Sequence, residues 1–80
     1  MTDKQRHDHD ALSAIGWELS DRYLAGSLDF DGFKALLWRA IDAVGADHPD
    51  LEMFCHYARG DGWFAWMTHE IQQASSKHVA

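Results

Sequence analysis

The chain has 80 residues, with 13 acidic and 7 basic side chains, and a formal net charge of −6. This length predicts a single small domain, and the lone cysteine, Cys55, excludes an intramolecular disulfide and a four-cysteine zinc site. The acidic balance argues against direct nucleic-acid binding, because phosphate contacts need clustered lysine and arginine. No apolar segment predicts a membrane span or a signal peptide, so a cytoplasmic protein is expected.

Apolar residues recur at helical spacing and no stretch alternates with period two, which predicts an all-α fold. Residues 1–8 and 77–80 are expected to be frayed. Because the connections are short, we expect a compact four-helix domain whose helices are mostly antiparallel. The four helices, of which the third is short, are predicted at about 10–25, 30–44, 49–58 and 62–76.

The first helix is expected to start after a cap at Asp8 or Asp10 and to end at Gly26. Gly16 lies on its apolar face and weakens the helix by about 1 kcal/mol relative to alanine. A close approach by another backbone would explain this glycine. The apolar face itself consists of Leu12, Ile15, Leu19 and Tyr23.

The second helix has the clearest boundaries. Asp29 is the predicted N-cap, Leu28 and Phe33 then occupy the positions of a hydrophobic staple, and Gly45 follows the last helical residue. Its buried stripe is predicted to contain Phe30, Phe33, Leu37, Ile41 and Val44.

The third helix is predicted to have Pro49 in its first turn and Cys55 on its buried face. Asp61 is the predicted N-cap of the fourth helix, whose apolar arc centres on Trp63. The core is expected to include Leu12, Ile15, Leu19, Phe33, Leu37, Ile41, Leu51, Phe54, Met67 and Ile71.

Three tryptophans, Trp17, Trp38 and Trp66, lie at the margins of these stripes. Either the helices bury wide arcs against two neighbours each, or the rings form a partly exposed patch that anchors a partner. Trp66 lies about 60° from the centre of its arc, with Glu70 one turn away. We therefore expect Trp63 to be structural and Trp66 to be the better interface candidate.

Motifs for metal binding and catalysis are weak. A calcium loop over 27–38 fails because Trp38 stands where a glutamate ligand is required. The six histidines show no H-x-x-x-H spacing, so they are expected to be solvated, with a weak metal site or a pH-sensitive contact as alternatives. Cys55 has no base placed beside it, so no enzyme and no cofactor are expected.

The prediction for function is a small acidic, monomeric inhibitor or adaptor that occludes a larger basic protein or complex. The partner is expected to handle nucleic acid, as the partners of immunity proteins, antitoxins and phage anti-CRISPR proteins do, and DNA mimicry is a further possibility. The alternative is a metal- or pH-responsive regulator that uses its histidines. The candidate partner-binding residues are Trp66, Glu70, Trp38, Trp17, Asp29, Asp31, Asp47 and Asp50.

Overall fold

The computed structural model describes the backbone of residues 2–77 and the side chains of residues 2–75. This part of the chain contains no strand, so the predicted all-α, four-helix fold is confirmed. The third element is a 3₁₀ helix rather than an α-helix. The elements are α1 (Asp3–Leu24), α2 (Phe30–Val44), the 3₁₀ helix (Pro49–His56) and α3 (Asp61–Lys77).

Helix α1 begins well before the predicted start. Thr2 is its N-cap: the Thr2 hydroxyl accepts the N–H of Gln5 at 3.1 Å, and the Gln5 side chain accepts the N–H of Thr2 at 2.8 Å. The predicted cap at Asp8 or Asp10 was wrong, because this reciprocal capping box starts the helix earlier. Residues 3–8, expected to be frayed, are helical in the structure, whereas Met1 and residues 78–80 lie outside the described residues.

The predicted boundaries of α2 are confirmed. The Asp29 carboxylate accepts the N–H of Gly32 at 2.8 Å, and Gly45 follows the helix with a φ of 93°, a conformation that favours glycine. Leu28 and Phe33, the predicted staple pair, are both buried in the core. Helix α2 is the central element, because α1, the 3₁₀ helix and α3 all pack against it.

The ends of the last two elements differ from the prediction. The third element ends at His56, two residues before the predicted end, and it is capped by His48, whose Nδ1 accepts the N–H of Asp50 at 3.1 Å. Cys55 is only partly buried. Helix α3 begins at Asp61 itself, so this residue lies in the first turn and not at the predicted cap position.

The core matches the predicted faces closely. Every predicted core residue is buried except Ile41 and Ile71, which are partly buried and pack against the core. Leu36 and Ala40 are also buried, because α2 has neighbours on more than one side. Tyr23 was wrongly placed in the stripe: it is 42% exposed, near the end of α1, in edge-to-face contact with Tyr57.

None of the helices in the described part of the chain is both long enough and apolar enough to cross a membrane.

Candidate protein-interaction site

The tryptophans of α3 pack against two phenylalanines of α2. The Trp63 ring stacks on Phe30 with centroids 5.6 Å apart, and it lies 5.1 Å from the centroid of Phe33. Trp66 contacts the same two rings edge-to-face, at 5.6 Å and 6.4 Å. Both tryptophans are partly buried, so the structure separates their roles less sharply than the angular argument predicted.

Trp38 extends this aromatic packing to the surface. Its ring centroid lies 5.8 Å from that of Trp66, yet 47% of the residue remains exposed. The indole Nε1–H donates a hydrogen bond of 3.1 Å to Oε1 of Glu70 on α3. Trp66 and Glu70 therefore hold Trp38 in one orientation while part of its ring remains exposed to solvent. A fixed, accessible ring of this kind can bind a partner with little loss of side-chain entropy.

A pocket of about 400 Å³ lies beside this ring, between α2 and α3. Among its described lining residues, two carry carboxylates and none is basic. We call it the acidic pocket, and it is lined by Trp38, Ile41, Asp42, Glu70, Gln73 and Ala74. An aromatic wall, an apolar base and two carboxylates together suit a cationic side chain, since an aromatic face and an anion both attract a cation.

The other predicted interface residues lie elsewhere. Asp29 caps α2, Asp31 pairs with the Lys34 ammonium at 3.4 Å, and neither lines the acidic pocket. Asp47 and Asp50 are exposed, one in the turn after α2 and the other in the 3₁₀ helix. Trp17 lies on α1 and lines a different cavity. The structure thus brings together Trp38, Trp66 and Glu70 from the predicted set.

The sequence did not identify Ile41 and Ala74 as interface residues, and it did not place Asp42 or Gln73 beside Trp38. A signal for Asp42 was available, because it follows Trp38 by four residues and side chains at this spacing lie on one face of a helix. The pairing of Trp38 with Glu70 had no such signal, because the two residues are 32 positions apart in different helices.

A second carboxylate, that of Asp8 on α1, lies in a buried setting. The Lys4 ammonium donates to Asp8 Oδ2 at 2.7 Å, and Nε2 of His48 lies 3.5 Å from the same oxygen. The hydrogen bond and charge of Lys4 hold the pKa of Asp8 below its usual value, although partial burial opposes this shift. Because Nδ1 of His48 accepts a hydrogen bond from Asp50, the proton of the neutral ring is assigned to Nε2, which faces Asp8.

This contact corrects one expectation. The histidines were expected to be solvated, but only 18% of the His48 side chain is exposed. His48 connects α1 to the 3₁₀ helix, which it also caps. The role is structural, because the ring uses one nitrogen for the cap and directs the other at Asp8.

No three histidine, cysteine, aspartate or glutamate side chains among the described residues are arranged to hold a metal ion. Cys55 is a free, partly buried thiol in the 3₁₀ helix, and its neighbour His56 is exposed.

Comparison of the chain with protein-family models, with curated proteins and with solved structures gives no match. Function is therefore inferred from the geometry and charge of the surface alone.

Proposed function

We propose that the chain is a small, non-catalytic binding protein that occludes a basic surface on a larger protein. The acidic pocket is the contact site, and it accepts a lysine or arginine side chain of the partner. The observation that carries this proposal is the Trp38–Glu70 hydrogen bond, which fixes an exposed indole and a carboxylate side by side. The second carboxylate of the pocket, Asp42, adds to the attraction.

Arginine fits this pocket better than lysine. A guanidinium group is planar, so it can stack on the exposed part of the Trp38 ring while its N–H groups bind a carboxylate. The indole occupies Oε1 of Glu70, which leaves Oε2 of this side chain to accept from a ligand. An ammonium group makes a single strong charge contact and gains less from the planar ring.

The whole molecule supports the same type of partner. Its net charge of −6 favours encounter with a basic surface and disfavours encounter with nucleic acid. A basic surface on a protein that handles nucleic acid is the natural target, so we place the chain functionally with immunity proteins, antitoxins and anti-CRISPR inhibitors. The basis is charge and size, together with an anchor site for a cationic side chain.

DNA mimicry forms a smaller part of the proposal. A mimic needs an array of carboxylates that are free to replace phosphates. Asp29 binds the backbone of α2 and Asp31 pairs with Lys34, so both have local roles. One anchored cation at the acidic pocket therefore accounts for recognition better than an extended charge pattern.

The test measures the affinity of an end-capped, fluorescently labelled arginine-rich peptide at low salt. Glu70→Gln removes one charge from the acidic pocket, and Glu18→Gln is the matched control, because Glu18 pairs with Arg39 outside the pocket. We expect Glu70→Gln to weaken binding about tenfold and Glu18→Gln to weaken it less than about twofold. Equal effects of the two variants would show that only net charge matters, and would overturn the proposed site.

A further inference from the structure

A second surface lies between α1 and the 3₁₀ helix. Two adjoining cavities, of about 420 and 370 Å³, are each lined by Ser13, Gly16, Met53 and His56. We call them together the α1 groove. The described lining of this groove has no residue in common with the acidic pocket. A ligand in one site would therefore make its contacts with different side chains from a ligand in the other.

Gly16 shapes the wall of the groove. The sequence suggested that another backbone approaches this glycine, but its nearest neighbour is the Met53 side chain. A Cβ built on Gly16 would lie 3.6 Å from Met53 Sδ, which is an ordinary contact distance. The fold thus has room for alanine here, and glycine weakens a helix interior. Without a side chain at this position the groove is wider than alanine would leave it.

Apolar side chains on this side of α1 are open to solvent. Trp17 lines it and is 71% exposed, and Leu24, two turns further along α1, is 80% exposed. Met53 is partly buried against the core and lines both cavities. An exposed tryptophan beside a thioether-lined groove is typical of a surface that takes an apolar side chain from a partner.

The charges of the lining residues indicate which kind of ligand the groove binds. Asp50 and Glu52 line the groove, and the other titratable residues of its described lining are His9, His56 and Tyr57. The described lining contains neither lysine nor arginine. A second copy of this chain would bring the same carboxylates against these, and both copies would carry a charge of −6. A basic segment that also has an apolar side chain matches both features of the groove.

We propose that the α1 groove binds a basic amphipathic segment of a partner protein. An apolar side chain of this segment rests on Met53 and Trp17, and its lysine or arginine residues face Asp50 and Glu52. The proposal extends the proposed function, because it gives the chain two docking surfaces, which suits an adaptor or an inhibitor that holds two parts of one target. It does not depend on the acidic pocket.

The experiment uses the intact, ¹⁵N-labelled protein and a synthetic amphipathic helix of leucine and arginine as the probe. The indole N–H signals of Trp17 and Trp38, assigned with Trp→Phe variants, report on the groove and on the acidic pocket separately. We expect the Trp17 signal to shift and saturate. Trp17→Ala, for which the backbone N–H signal of Gly16 replaces the indole signal as the report on the groove, should weaken binding there at least about tenfold. The double variant Asp50→Asn, Glu52→Gln should weaken it about fivefold to tenfold.

Each outcome separates the two proposals. If the Trp38 signal shifts and the Trp17 signal does not, the groove proposal is overturned and the acidic-pocket proposal is supported. If the Trp17 signal shifts and the Trp38 signal does not, the groove proposal is supported and the acidic-pocket proposal is overturned. If neither signal moves, both proposals fail for this class of ligand. Concentration-dependent shifts without peptide would identify a second copy as the occupant and overturn the proposal. Circular dichroism of each variant confirms that a lost signal does not reflect unfolding, and Asp10→Asn is the charge control because it lies outside the groove lining.

Discussion

Two carboxylates in this molecule each face a ring nitrogen, but they do so in different surroundings. Asp8 faces Nε2 of His48, is only 5% exposed and also accepts from Lys4. Glu70 accepts from the indole of Trp38, which is 47% exposed, and lies in an open pocket. The first carboxylate has its partners within the chain, whereas in our proposal the second uses its other oxygen to bind a ligand. Burial and saturation of hydrogen bonds thus distinguish a structural contact from the binding site that we propose.

The substitution with the greatest predicted effect removes a core side chain on which both the Asp8–His48 and the Trp38–Glu70 contacts depend. Leu37 of α2 is fully buried in the core cluster, and α2 packs against every other helix. Leu37→Ala should lower the free energy of unfolding by about 2–5 kcal/mol. Such a loss in a domain of this size would unfold much of the population and remove both contacts together. A change below about 0.5 kcal/mol in urea unfolding would show that this face of α2 is misassigned.

The next prediction separates the contribution of Trp38 to binding from its contribution to stability. Trp38→Ala should weaken binding of an arginine-rich peptide by about 2 kcal/mol, as expected for a hot-spot residue. Its cost in stability should be about 1 kcal/mol or less, because half of the residue is already exposed. Trp63→Ala is the control: it removes a ring that stacks on Phe30, and it should reduce stability by about 2–3 kcal/mol. If Trp38→Ala destabilises the fold as much as Trp63→Ala, Trp38 is a core residue and its assignment to an exposed binding contact is wrong.

A third, smaller effect concerns two aspartates at the start of α2 that have local roles in the structure. Asp29→Ala removes the hydrogen bond to Gly32 at the start of α2 and should cost about 1 kcal/mol of stability. Asp31→Ala removes an exposed ion pair with Lys34 in the same turn and should cost no more than about 0.5 kcal/mol. Neither change should alter peptide binding by the folded protein. A binding defect for Asp29→Ala without loss of stability would assign this residue to the interface instead.

The smallest predicted effect is the pH dependence of the stability that the buried Asp8 carboxylate contributes. The pKa of Asp8 is lowered from 3.8 in the folded protein, so this carboxylate stabilises the fold above about pH 4. This contribution is lost as the pH falls through the lowered pKa. Asp8→Asn should therefore have a lower unfolding temperature than the wild type at neutral pH. The difference between the two unfolding temperatures should become smaller in acid. Asp10→Asn, an exposed change in the same helix, is the control for the loss of one carboxylate. The same pH profile for both variants would contradict the structural role of Asp8.

Local signals in the sequence determined what could be predicted. The limits of α2 follow from one capping aspartate, one terminal glycine and a regular apolar stripe, all of which act within a few residues. The start of α1 was missed because its first turns are polar and lack an apolar face, although Thr2 and Gln5 spell a capping box. The 3₁₀ geometry of Pro49–His56 was also missed, because eight residues are too few for periodicity to distinguish it from an α-helix.

The candidate site was predicted in part. Trp38, Trp66 and Glu70 were each identified from their positions on helix faces, but Glu70 was paired with Trp66 and not with Trp38. Their contact depends on how α2 and α3 pack, which the spacing within either helix does not specify. The buried role of His48 was missed for the same reason, since Asp8 approaches it from a distant part of the chain.

In our proposal, Trp38 and Glu70 act together as one binding site for a cationic side chain. A double-mutant cycle measures whether they do: the affinity of the arginine-rich peptide is determined for the wild type, Trp38→Phe, Glu70→Gln and the double variant. Phenylalanine keeps an aromatic face but removes the indole N–H that orients the carboxylate. Our account predicts that the two changes are coupled by at least about 0.5 kcal/mol, so that the double variant loses less than the sum of the single losses. Strictly additive losses, or no loss for Glu70→Gln, would contradict it.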